Sequence, residues 1–244
     1  MNIDGGIQIG NGITIVTELV STYVTSGLQM FWDIGNSSSY PGSGTTITDL
    51  SGNGRSGTLS GSPTYSSGGI TTATSKYIYG PTNYNLGSAW TMSIVSNTST
   101  TQPQYWCTMW GDEAWSSAGY LAYQTTNSSL TYGTPAGGIT WSTTQANIQG
   151  SNTAWDFTYD GTTIKLYKNG AATAVSSGAM GVATSSSAGI FFGARHINGG
   201  GATPADFSAT TFYQIRVYSR ALTTAEIATN YAVVKTAYPG LSLP

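Results

Sequence analysis

Two dipeptides, Asp160-Gly161 and Asn169-Gly170, bracket a short alternating segment and constrain this chain more than any other feature. Tight hairpin turns that match the twist of paired strands need positive φ at their central residues, which Asp-Gly and Asn-Gly supply. The segment therefore predicts an antiparallel meander of Ala154 to Tyr159, Thr163 to Lys168 and a further strand beyond Gly170. Trp155, Phe157 and Tyr159 alternate with small or polar residues, as do Ile164 and Leu166. That is the period of strands with one buried face.

A helix follows with independent start signals. Thr223 and Glu226 stand at the spacing of a capping box, in which hydroxyl and carboxylate each satisfy an orphan backbone donor. Leu222 and Ile227 fall at the two positions of a hydrophobic staple. Ile227, Tyr231 and Val234 make a narrow apolar stripe, and Pro239-Gly240 stops the helix. One short helix on a sheet is expected.

The stretches AWDFTYDGTTIKLYKNG (Ala154 to Gly170), GIFFGAR (Gly189 to Arg195) and FYQIRVYSRALTTAEIATNY (Phe212 to Tyr231) resemble the closing half of laminin G-like domains. Those domains have the concanavalin A-like lectin/glucanase jelly-roll fold. The stretch GLQMFWDIGNSSSYPGSGTTITDLSGNGRSGTL (Gly27 to Leu59) resembles the first strand and Gly/Ser loop of versions found in tailed-phage and other virion proteins. The resemblance runs roughly from Ser26 to Tyr238, with Thr71 to Ser151 matching in character only. It implies an all-β antiparallel sandwich with one short C-terminal helix and an extended N-terminal arm. The expected organisation is an arm and linker over 1–25, the sandwich over 26–238 and a tail over 239–244.

The composition fits one such sandwich, since 244 residues with 39% apolar content and seven Trp can fill a substantial core. Charged residues make up only 7% of the chain, against roughly 25% in ordinary soluble domains. Between Lys76 and Asp156 only Asp112 and Glu113 carry charge. Eight scattered basic residues give no clustered footprint for nucleic acid. No apolar run approaches the roughly 20 residues of a membrane-spanning helix, and no basic leader precedes an apolar segment. A neutral surface of hydroxyls and amides suits close contact with protein or sugar.

At the N-terminus Gly6-Ile7-Gln8-Ile9 recurs as Gly12-Ile13-Thr14-Ile15. Two such rungs cannot bury their isoleucines within themselves. Ile3, Ile7, Ile9, Ile13 and Ile15 are therefore expected to dock against another subunit, in a homo-oligomer or on a capsid or tail protein. Together with the resemblance, this implies a non-enzymatic structural virion protein, a bacteriophage capsid decoration or appendage assembled in the host cytoplasm. The alternative is a carbohydrate-binding module or a phage receptor-binding protein.

Enzymatic activity is not expected. Glycoside hydrolysis needs two facing carboxylates, yet the three Glu are Glu18 in the arm, Glu226 in a helix cap and Glu113 beside Asp112. Consecutive strand residues point to opposite faces, so Asp112 and Glu113 are not a natural pair on a strand. Cys107 is the only cysteine and His196 the only histidine, and a buried structural thiol is the expected role of Cys107. Tyr105, Trp106, Trp110, Trp115, Tyr120 and Tyr123 crowd one segment. Trp106 and Trp110 have core spacing, whereas Trp115 and Tyr120 with Asp112 and Glu113 are the candidate sugar contacts. No cofactor is expected. For calcium, which takes six to eight oxygens, Asp112, Glu113 and Asp206 are the only ligands nominated. Asp33, Asp49 and Asp160 read as strand-end and turn hydrogen-bonding groups.

Overall fold

The computed structural model describes residues 22–81, 87–98, 150–179, 190–194 and 207–244, and as backbone strands 7–9, 13–15, 107–109, 120–124, 129–133, 195–197 and 203–205. In chain order the strands begin with β1 (Ile7–Ile9), β2 (Ile13–Ile15), β3 (Leu28–Asp33), β4 (Thr46–Ile47), β5 (Gly57–Ser60), β6 (Thr64–Ser66) and β7 (Gly69–Thr71). Next come β8 (Tyr77–Tyr79), β9 (Trp90–Thr98), β10 (Cys107–Met109), β11 (Tyr120–Gln124), β12 (Ser129–Gly133) and β13 (Thr153–Tyr159). The series ends with β14 (Thr163–Lys168), β15 (Ser176–Ala179), β16 (Ile190–Phe192), β17 (Arg195–Ile197), β18 (Thr203–Ala205) and β19 (Thr210–Tyr218), before helix α1 (Thr224–Ala237).

These strands build an antiparallel β-sandwich of the expected jelly-roll kind. The large sheet runs β15-β14-β13-β9-β19-β7-β6, with β3 also paired to β19, and the small sheet runs β10-β16-β8-β5-β4. Between them lies one apolar core. Met30, Trp32, Ile94, Phe157, Phe212 and Val217 fill it from the large sheet, and Ile47, Leu59, Ile78 and Phe192 from the small one. Trp32 and Phe192 meet edge to face with centroids 5.6 Å apart, so the aromatics interlock across the two layers.

The predicted meander is present. Asn169 and Gly170 take φ of 52° and 69°, and Ala171 N–H donates to Lys168 O, the geometry of a type I′ turn. Gly170 also lies where an added Cβ would come within 2.6 Å of Tyr231, so close packing and left-handed φ both select glycine there. The Asp160-Gly161 turn is longer than the tight two-residue turn that an Asp-Gly dipeptide favours, because residues 160–162 all lie outside the strands. The Asp160 carboxylate explains it. Its Oδ1 accepts from the Thr162 and Thr163 amides at 3.0 and 2.8 Å, so a side chain completes the turn.

The expectation that β13 buries one face is corrected, since all seven of its residues are buried. Trp155, Phe157 and Tyr159 enter the core, while Ala154 lies under α1 on the other face and the buried Asp156 carboxylate accepts from Ser93 Oγ. The helix packs through two clusters, Tyr231 and Val234 against Val95, Ala154 and Tyr213, and Ile227 with Leu222 against Tyr167 and Tyr218. Tyr23 and Val24 add to this cover, Val24 N–H donating to Asn230 Oδ1 at 2.9 Å.

The capping box stands as predicted at Thr223 and Glu226. Arg220 extends it with a two-pronged contact to the Glu226 carboxylate at 2.9 and 2.6 Å. Thr223→Ala is expected to lower stability by about 0.5 to 2 kcal/mol, the usual loss for an N-cap, read from chemical denaturation. The hydrogen bonds from Arg220, with those from Thr223, outweigh burial and hold the Glu226 carboxyl down at about 2, from an ordinary 4.5. A depressed carboxylate contributes stability that is complete above the unfolded value and disappears as pH falls through the folded one. The stability gap between the parent and Glu226→Gln should therefore be constant above about pH 5. It should close between about 4.5 and 2.

Candidate functional site

The residues nominated from sequence fall mostly beyond what the structure describes. Ile3, Trp106, Trp110, Asp112, Glu113, Trp115 and Asp206 lie outside the described residues. Tyr120 and Tyr123 belong to β11, which pairs with β12, and Cys107 and His196 to β10 and β17. Ile7, Ile9, Ile13 and Ile15 belong to β1 and β2, paired antiparallel with Ile7 opposite Ile15. For these strands the backbone alone is described.

Among the described residues the two sheets differ in what covers them. The outer face of the large sheet lies beneath α1, Tyr23 and Val24. The small sheet turns Ile47, Leu59, Ile78 and Phe192 into the core, so period-two alternation sends their strand neighbours outward. Register then assembles a row across four strands. Phe191 stands opposite Tyr79, Tyr79 opposite Thr58, and Thr58 opposite Thr46. Beside it Ser60 stands opposite Tyr77.

The aromatic half of this surface is continuous. Tyr79 and Phe191 stack with centroids 6.2 Å apart and planes at 28°, and Tyr77 lies 5.8 Å from Phe191 and 6.1 Å from Phe207. Phe191 is 3% exposed, whereas Tyr79 is 37% exposed and so turns toward solvent. The other half carries the hydroxyls of Thr46, Thr58 and Ser60. None of these described residues is charged. The arrangement sets flat apolar rings beside short hydrogen-bonding groups, the usual make-up of a site that orients a small polar molecule.

The sequence reading nominated Trp115 and Tyr120 as the aromatic sugar contacts and passed over this surface. The signal was Lys76-Tyr-Ile-Tyr-Gly80, in which a single aliphatic residue alternates with two tyrosines.

A second feature sits at the end of α1. The Tyr238 hydroxyl accepts from Gly35 N–H at 3.0 Å and lies between two acceptors, Asp33 Oδ1 and the Tyr213 carbonyl. Burial first, and then the Asp33 carboxylate, push the Tyr238 phenol well above its ordinary value, so it stays a donor. Gln214 Nε2 donates to Tyr23 Oη at 2.8 Å and to Asp33 Oδ1 at 3.2 Å. Asp33 ends β3, as its reading as a strand-end group expects, and is also a member of this buried network. Asp49 and Asp160 do hold backbone amides as expected, Asp49 accepting from Phe31 and Arg55 at 2.8 and 2.9 Å. A cleft of about 570 Å³ opens on one side of Tyr238, bounded by Gly35, Gly68, Asn152 and Leu241.

No family model matches the sequence and no curated protein does. Solved structures do match in fold. The binding domain of botulinum neurotoxin serotype D superposes with a TM-score of 0.60 at 12% identity, over 86% of this chain and 52% of that one. The binding domain of Paraclostridial Mosquitocidal Protein 1 gives 0.61 at 15%, over 84% and 52%. The chain therefore spans about half the length of these toxin domains. Domain 4 of AbnA, a GH43 extracellular arabinanase from Geobacillus stearothermophilus solved with arabinotriose, gives 0.59 at 17%, over 84% of this chain and 98% of that one. At these identities the likeness is one of fold.

Proposed function

We propose that this chain is a non-catalytic carbohydrate-binding module that holds a neutral saccharide against the outer face of the small sheet. The cross-strand row of Phe191, Tyr79, Thr58 and Thr46 carries the reading. Tyr79, with Tyr77 beside it, supplies ring faces for the apolar side of a sugar. Thr58 and Ser60 supply donors and acceptors for its hydroxyls. A charge content of 7% favours a neutral ligand over an acidic one. Support from comparison comes from domain 4 of the arabinanase, which is matched over nearly its whole length and whose structure holds an oligosaccharide. No carboxylate belongs to the described row, so it offers no acid and base pair for glycoside cleavage.

The proposed setting is a virion, on the resemblance of Gly27 to Leu59 to virion versions of the fold. There the module would act as an appendage that meets a host-surface glycan, with the Ile-rich arm as its attachment. The reading is tested by presenting the parent chain to immobilised neutral and acidic oligosaccharides. Retention on neutral glycans supports it. Preference for sialylated or uronate-bearing glycans, or no retention on any, contradicts it.

A further inference from the structure

The network at the end of α1 leaves one carboxylate oxygen of Asp33 without a hydrogen-bond partner among the described residues. Asp33 is 8% exposed. Tyr238 Oη and Gln214 Nε2 both donate to its Oδ1, and Oδ2 has no hydrogen-bond partner among the described residues. Asp33 lines a cavity of about 210 Å³ with Gly35, Asn36, Ala237 and Tyr238. Three of those residues, Gly35, Ala237 and Tyr238, also line the adjoining cleft of about 570 Å³, so the Tyr238 ring borders both.

No basic side chain lines either cavity, and no cation pairs with Asp33 among the described residues. Arg216 lies over the ring of Tyr23, 4.5 Å from its centroid, and Gln214 bridges the Tyr23 hydroxyl to Asp33. A carboxylate in a partly dry cleft calls for hydrogen-bond donors and for positive charge. A sugar hydroxyl provides only the first. An ammonium provides both.

We infer that this cleft is a second binding site, for a primary ammonium group on a small polar body such as an amino sugar, with Asp33 Oδ2 as its anchor. It lies at the end of α1, against the large sheet, and so is separate from the tyrosine face of the small sheet.

The test is an amide NMR titration of the full chain at neutral pH with glucosamine, with N-acetylglucosamine and glucose as controls at matched ionic strength. Glucosamine alone should shift the Gly35, Asn36 and Tyr238 amides and saturate. Asp33→Asn should weaken this at least tenfold, since Asn Oδ1 can still accept from Tyr238 and Gln214 while its amide puts a donor where Oδ2 stood. Ala237→Phe, which narrows the mouth and leaves Asp33 in place, should weaken it too. Tyr79→Ala should leave it intact, which keeps its outcome distinct from that of the glycan platform. Equal shifts with glucose, or full binding by either cleft variant, would overturn the assignment.

Discussion

Trp32→Ala is expected to lower the unfolding free energy by about 3 to 5 kcal/mol, the range for emptying a large aromatic site. The indole is fully buried between the sheets, and its Nε1 donates to the Arg55 carbonyl at 2.8 Å. An added Cβ on Gly57 would come within 2.8 Å of the ring, so the residue above Trp32 has no side chain to collapse into the space left behind. Partial relaxation is what makes such substitutions mild, and a glycine wall offers little of it. The cost should therefore sit toward the upper end. Against a total of about 5 to 15 kcal/mol for a typical domain, this is a large share. A urea titration with a lower midpoint and an unchanged slope would match the expectation. A loss below about 1 kcal/mol would mean that the core closes around the gap and that Trp32 is not its keystone.

Tyr79→Ala is expected to do the reverse, sparing the fold and removing the ligand. The ring is 37% exposed and stacks on Phe191 without entering the core between the sheets. Burying an aromatic side chain against a ligand is worth about 1.5 to 3 kcal/mol, and each 1.4 kcal/mol is tenfold in affinity. Glycan affinity should thus fall by about 10- to 100-fold. Replacing Tyr77 as well should abolish measurable retention. Calorimetry on the parent and both variants gives the affinities, and a melt of each separates a lost contact from a lost fold. Unchanged affinity in the double variant would remove the face from consideration.

The parts of this structure that are legible in the sequence are those closed by neighbouring residues. Asn169-Gly170 dictates its own turn, and Thr223 with Glu226 dictates its own cap, because the bonding partners lie within four positions. Asp160 shows the limit of a dipeptide rule, since its side chain bonds amides two and three residues on and lengthens the turn. Burial of both faces of β13 was not legible, because Val234, which helps to cover Ala154, comes from a helix far down the chain. Asp33 was less legible still, with its partners Gln214 and Tyr238 lying 181 and 205 positions away. The Tyr77-Ile78-Tyr79 alternation announces a strand with aromatics on one face. Which face the helix leaves open depends on the tertiary packing of α1, and no local pattern encodes that.

The most direct test of the account maps where a sugar touches the protein. Amide and aromatic NMR shifts should be followed while a neutral oligosaccharide that the immobilised panel retains is added to the isotope-labelled chain. The account predicts shifts at Thr58, Ser60, Tyr77, Tyr79 and Phe191 that saturate together, with the residues of α1 unmoved. Shifts confined to other parts of the molecule, leaving this row silent at saturating ligand, would contradict it.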